Sequence, residues 1–139
     1  MNEEKLVFPS QEWIERYKQI LNENADYEDA AKDWEGDFIF EVEADGEIIE
    51  EPISFYLDLW HGKCRGAEMV EGDKSAEFTY SGPYKNWKLL FEGEIGPIRG
   101  LMARKFELQG SMSKIMRYTK AASELVSTAT KVPTKYIDE

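Results

Sequence analysis

From Asp37 to Ala44 the sequence alternates, with Phe38, Phe40 and Val42 on one side and Glu41 and Glu43 on the other. A period of two is the mark of a strand with one buried and one wet face. Such a strand cannot stand alone, so the chain is committed to a sheet with something packed on its apolar side. Asp45-Gly46 is a turn pair, and after Pro52 a second run places Phe55, Leu57 and Leu59 against Tyr56, Asp58 and Trp60. His61-Gly62 turns the chain into Lys63 to Val70, and Gly72-Asp73 precedes a fourth strand, Ala76 to Ser81. Connections this short predict an antiparallel meander. A fifth strand alternates Phe106 and Leu108 with Lys105 and Glu107 and stops at Gly110.

Helical spacing fills the rest. Ser10 is placed as an N-cap for a helix whose apolar face is Trp13, Ile14, Tyr17, Ile20 and Leu21. Asn22 to Ala25 breaks it, and a shorter helix through Tyr27, Ala30 and Ala31 ends near Trp34 and Gly36. Gly82-Pro83 opens a helix with Tyr84, Trp87, Leu90 and Phe91 inward. Gly93, Gly96 and Pro97 interrupt it, and Ile98 to Ala103 reads as one more turn with Leu101 and Met102 inward. A long terminal helix follows, with Met112, Ile115, Met116, Thr119, Ala122 and Val126 on one side and Lys114, Arg117, Lys120 and Glu124 on the other. Its dry side is soft, because methionine adapts to irregular volumes and the small residues leave room that leucine would fill. Two readings suit that softness, an ordinary core helix and the wall of a lipid-sized cavity. The residues from Lys131 show no periodicity and read as a tail.

A chain of 139 residues is expected to form one domain, 1–139, with an N-terminal helical segment at 1–24 and the tail at 131–139. That length is enough to bury about 68% of the unfolded surface and to enclose a ligand pocket without a second domain. Charge is uneven: residues 1–58 hold 18 acidic and 4 basic side chains, and 59–139 hold 10 and 13. A net charge of −11 argues against nucleic acid as a partner. The basic groups of the second part leave open a transient contact with an anionic headgroup or membrane surface. No residue pattern commits the chain to an oligomeric state.

The single cysteine, Cys64, excludes an internal disulfide and a multi-thiolate metal site. The amino terminus lacks the layout of a signal peptide, and no run approaches the length of a membrane span. The expectation is a soluble chain in the cytoplasm, with no metal and no cofactor. Gly93, Gly96 and Gly100 lack the lysine and hydroxyl of a phosphate loop. Asp58 and His61 form the best candidate acid-base pair, provided His61 lies in the turn rather than on the strand. A surface histidine at a hairpin is the plainer reading.

Taken together, several stretches resemble the sterol carrier protein-2 family of lipid-binding domains. They are Phe38-Ile39-Phe40-Glu41-Val42, Tyr56-Leu57-Asp58-Leu59 closing on Gly62-Lys63-Cys64, Asn86-Trp87 with Leu89-Leu90, Gly93-Glu94-Ile95 with Pro97, Leu101-Met102, Lys105, Leu108-Gln109-Gly110 and the terminal helix. The resemblance runs from about Tyr27 to Thr128. It implies an α+β fold, a five-stranded, largely antiparallel or mixed sheet with helices packed on one face around an apolar cavity. It implies binding without catalysis, the ligand being a sterol, fatty acid or acyl-CoA. By the same likeness the wall is drawn from Trp87, Leu90, Phe91, Ile98, Met102, Phe106, Leu108, Met112, Ile115, Met116 and Thr119. The sequence departs from the family at Arg104, where many relatives carry glycine, and at Ser111, where many carry aspartate. It ends Ile137-Asp138-Glu139 and not in a peroxisomal Ser-Lys-Leu type of signal.

Three functions follow in order of weight. The first is a carrier that binds, and transfers within the cell, a long apolar ligand held between sheet and terminal helix with its headgroup near basic residues at a mouth. The second is a fully packed module whose acidic surface meets a basic protein partner. The third is a small enzyme using Asp58 and His61.

Overall fold

The Ser10 hydroxyl accepts the Trp13 N–H at 3.1 Å, so the first helix starts where the sequence places its cap. The computed structural model describes residues 5–138. In chain order its elements are β1 (Leu6–Phe8), α1 (Gln11–Asn22), α2 (Ala25–Ala30), β2 (Glu35–Glu43), β3 (Ile53–Trp60), β4 (Lys63–Met69) and β5 (Phe78–Pro83). They continue as α3 (Tyr84–Phe91), α4 (Pro97–Met102), β6 (Glu107–Gln109), α5 (Met112–Arg117), α6 (Thr119–Ala129) and β7 (Thr134–Tyr136).

The main sheet has five strands in the order β4-β3-β2-β5-β6, the expected α+β arrangement. The meander holds for β2, β3 and β4, which pair antiparallel, and fails at β5, which returns to lie parallel to β2. Residues 70–77 carry the chain back across the sheet, with the Lys74 ammonium over the Tyr56 ring and the Glu77 N–H on Asp37. Register then aligns one row across all five strands: Met69, Phe55, Phe40, Tyr80 and Leu108 stand opposite one another in turn. Side chains two residues apart share a face, so Phe38 and Phe40 lie on the side where Trp34 and Trp87 meet them.

Helices cover that face. Tyr84, Trp87, Leu90 and Phe91 of α3 are buried as their spacing predicts. Phe8, Trp13, Phe55 and Phe91 form one aromatic cluster beneath α1, and Phe40, Tyr80, Trp87 and Phe106 form a second beneath α3. Ring pairs of this kind add about 0.5–1.5 kcal/mol each beyond burial. The Tyr17 hydroxyl donates to the Leu125 carbonyl and Asn24 donates to Thr128, locking α1 and α2 to α6.

The terminal segments differ from the sequence reading. Residues 134–136 are a strand, paired parallel with Leu6–Phe8, and Trp13 donates its indole N–H to Thr134. Val132 and Tyr136 are buried. Three residues are too few to show a period, which is why this strand reads as a tail.

The long terminal helix is two helices. Tyr118, at φ −120° and ψ 37°, leaves helical geometry and separates α5 from α6. The buried stripe runs through Ile115, Ala121, Leu125, Thr128 and Ala129, about one position away from the stripe expected from Met112, Met116 and Thr119. That offset turns three expected wall residues outward.

Candidate functional site

Between the aromatic face of the sheet and helices α3 to α6 lies an apolar cavity of about 50 Å³. Its floor is Phe38, Phe40, Leu59 and Tyr80 from the strands; Tyr27, Trp34, Trp87 and Leu90 close one side. Pro97, Ile98 and Leu101 of α4, Leu108 of β6, Ile115 and Tyr118, and Ala121, Ala122, Leu125 and Val126 of α6 complete it. None of these residues is charged.

Both indoles of the wall and the Tyr80 phenol are already engaged. Tyr80 donates to the Pro97 carbonyl at 2.8 Å, Trp87 to the Glu41 and Gly82 carbonyls, and Trp34 to the Gly36 carbonyl at 2.9 Å. Among the described residues no buried side-chain nitrogen or oxygen lacks a partner. Burial pushes the phenols of Tyr27 and Tyr80 well above the ordinary tyrosine range, so both stay neutral. The cavity therefore offers contact area and shape, and the chemistry it accommodates is hydrocarbon. Ile98, Leu101, Leu108, Tyr118, Ala122 and Val126 are only half-buried. They mark where the wall reaches solvent.

Five of the residues expected in the wall line this cavity: Trp87, Leu90, Ile98, Leu108 and Ile115. Six do not. Phe91 is buried on the far side of α3 against Phe8 and Trp13. Phe106 is sealed between two glycines, since a Cβ at Gly82 would fall 2.6 Å from its ring and one at Gly100 would fall 2.9 Å away. Met102, Met112 and Met116 are 79%, 44% and 48% exposed, and Thr119 is exposed as well. Met102 is the last residue of α4 and Met112 the first of α5, so each points past the end of a short helix. Trp34, Phe38, Tyr80, Ala121 and Leu125 were missed as wall residues. The signal for the last two is the 115-118-121-125 spacing, which competes in the sequence with the Met112, Met116 and Thr119 stripe beside it.

The expected cavity is one of lipid size, and the structure holds a narrow apolar seam in its place. At about 50 Å³ it is well below the roughly 300–1,000 Å³ of ordinary ligand pockets.

Asp58 and His61 are held by other groups. Asp58 pairs with Arg65 at 2.9 Å, while His61 Nε2 meets a Glu35 carboxylate oxygen at 2.6 Å and its ring stacks on Trp60. His61 sits in the turn at φ 49°. Asp58, Arg65, Glu35 and Trp60 border a polar concavity of about 470 Å³, in which Glu77 pairs with Lys114 and Asp37 accepts the Tyr56 hydroxyl. Cys64 is buried, with its thiol donating to the Gly66 carbonyl, and burial pushes it up to about 11. Among the described residues no three of His, Cys, Asp and Glu stand as a metal site. Among them, too, no helix is long and apolar enough to cross a membrane.

Comparison with known proteins agrees with this architecture. The profile of the SCP-2 sterol transfer family matches residues 15–123. A crystal structure of sterol carrier protein 2 is 36% identical with a TM-score of 0.84, over 88% of this chain and 97% of that one. A conserved hypothetical protein from Thermus thermophilus, described as a candidate sterol carrier protein, is 34% identical with a TM-score of 0.84, over 96% and 94%. A palmitated sterol carrier protein 2-like 2 from Aedes aegypti shares the fold at 17% identity, with a TM-score of 0.55 over 83% and 91%. No curated protein matches significantly by sequence. Family and fold support lipid binding and transfer in general, and the chain belongs to the SCP-2 sterol transfer family.

Proposed function

We propose that this protein is a non-catalytic carrier that takes the hydrocarbon part of a fatty acid, an acyl-CoA or a sterol-like lipid into the seam between the sheet and α4 to α6. The observation that carries the reading is a cavity whose lining holds no charge and whose two indoles and Tyr80 phenol are already bonded to main-chain carbonyls. Burying one methylene is worth about 0.8 kcal/mol, so a 16-carbon chain gains on the order of 10 kcal/mol before its immobilisation cost. That suffices for micromolar binding.

Such a chain enters only if the seam widens. The half-buried residues of α4, β6, α5 and α6 are the part of the wall free to part, since α4 and α5 are six-residue helices with little core of their own. A headgroup stays outside, because nothing within the seam solvates it. The Aedes aegypti relative, palmitated in its own structure, supports the capacity of this fold for an acyl chain. Cytoplasmic residence belongs to the same proposal, and cell fractionation tests it.

Organic extraction of gently purified protein, followed by mass spectrometry, is the test. A lipid recovered at about one per chain supports the carrier. A clean extract, together with failure to bind a fluorescent fatty acid, overturns it.

A further inference from the structure

Three phenols line the seam, and the fold engages two of them. Tyr80 donates to the Pro97 carbonyl at 2.8 Å and Tyr118 to the Asp33 carbonyl at 3.3 Å. The third, Tyr27, makes no hydrogen bond through its hydroxyl among the described residues. Its bonds are those of the main chain, the N–H to Asn24 Oδ1 at 3.3 Å and the carbonyl from the Ala31 N–H at 2.9 Å. The titratable groups that it feels, Cys64 and Tyr17, have given their own protons to the Gly66 and Leu125 carbonyls. Tyr27 is 2% exposed, so outside solvent does not serve it either. Every fully enclosed side-chain oxygen among the described residues has a partner. The Tyr27 oxygen has none, so it is not fully enclosed, and the space it opens on is the seam that the residue lines.

The phenol is held where it is. Asn24 caps α2 by accepting the N–H groups of Asp26 and Tyr27, and it donates to Thr128 of α6 at 2.9 Å, which fixes α2 against the far wall. Tyr27 belongs to the closed side of the seam, whereas Ile98, Leu101, Ala122 and Val126 form its half-buried rim. A chain that enters past the rim therefore meets Tyr27 with its leading end. Burial keeps the phenol neutral, with its proton in place. In hydrocarbon surroundings such a group selects for one kind of partner, a neutral oxygen whose transfer from water is costly without a bond and cheap with one. It does not select for an ionised headgroup, whose desolvation exceeds what one phenol returns.

We propose that Tyr27 is the polar recognition point of the seam, donating its hydroxyl to a neutral oxygen at the leading end of the ligand, so that the preferred cargo is an ω-oxygenated fatty acid. The charged end of that molecule stays outside the rim, and its far hydroxyl or carbonyl oxygen lies against the phenol. The inference rests on the carrier reading and narrows its ligand class.

Displacement of a fluorescent fatty acid compares ω-hydroxy acids, from ω-hydroxydecanoic to ω-hydroxystearic, with the unsubstituted acids of the same lengths, in wild type and in Tyr27→Phe. In wild type the best-fitting ω-hydroxy acid is expected to bind at least as tightly as its parent, whereas an apolar site with no partner for the hydroxyl would bind it about tenfold more weakly or worse. In Tyr27→Phe the ratio of the two affinities should fall about tenfold. Melting temperature gives a second reading. Loss of an unbonded hydroxyl leaves it unchanged or raises it, and Tyr17→Phe, which gives up the bond to Leu125, lowers it. Equal ratios in wild type and Tyr27→Phe, or a wild type that rejects every ω-hydroxyl, overturn the proposal and spare the carrier, since the unsubstituted acids still bind. A Tyr27→Phe protein that melts as early as Tyr17→Phe overturns it as well, by showing the hydroxyl bonded within the fold. A protein that takes up no fatty acid, hydroxylated or plain, loses both readings.

Discussion

The Tyr80 phenol donates to the main-chain carbonyl of Pro97 at 2.8 Å, tying the first residue of α4 to strand β5. Both residues line the seam. The tie holds α4 at its start and leaves Leu101 and Met102, at its other end, half-buried and exposed. Tyr80→Phe keeps the ring and removes the bond. It should cost about 1 kcal/mol in a denaturant melt and speed amide hydrogen exchange in α4 more than in α3.

The phase of the terminal helices can be read from two truncations. Ile115 is buried and Met116 is 48% exposed. Ile115→Ala should destabilise the fold by roughly 2–4 kcal/mol, and Met116→Ala by no more than about 0.5 kcal/mol. Comparable losses at the two positions would restore the continuous helix.

Ala122 lies half-buried at the rim of the seam, beside Val126 and across from Leu101 in its lining. Ala122→Phe places a ring in the opening while one side of the residue still faces water. Affinity for a fluorescent fatty acid should fall at least about tenfold, with stability changed by less than about 1 kcal/mol.

The carboxy-terminal strand carries a pH-dependent contact. Tyr84 donates its hydroxyl to Asp138 at 2.7 Å, and that bond, helped by Lys88, holds the Asp138 carboxyl below the ordinary aspartate range. A carboxyl with a lowered folded-state pKa stabilises the fold at pH above its ordinary value. The gain disappears as pH falls through the lower, folded value. Acidification in that range should loosen the β1–β7 pairing before the main sheet, seen as earlier exchange of the Leu6 and Ile137 amides. Asp138→Asn should remove that step.

Much of this molecule is legible in its sequence. The alternation of Phe38, Phe40 and Val42 and the capping Ser10 locate β2 and α1, and the spacing of Tyr84, Trp87, Leu90 and Phe91 gives the buried face of α3. These are local signals. The pairing of β5 with β2 is not local: a connection as short as residues 70–77 favours a hairpin, yet here it carries the chain back across the sheet. Hydrophobicity misplaced the wall for a similar reason. Met112, Met116 and Met102 are large apolar residues at helical spacing, yet one non-helical residue, Tyr118, and two helix ends turn them to solvent. Phe106 is excluded by contacts with Gly82 and Gly100, which are distant along the chain.

The central claim is that a seam of about 50 Å³ parts to accept a hydrocarbon chain. Calorimetric titration with palmitic acid at several temperatures tests it most directly. The account predicts saturation at one ligand per chain, micromolar affinity and a heat-capacity change that is clearly negative, since apolar surface leaves water. Heats that never saturate, or binding with no heat-capacity change, would contradict it.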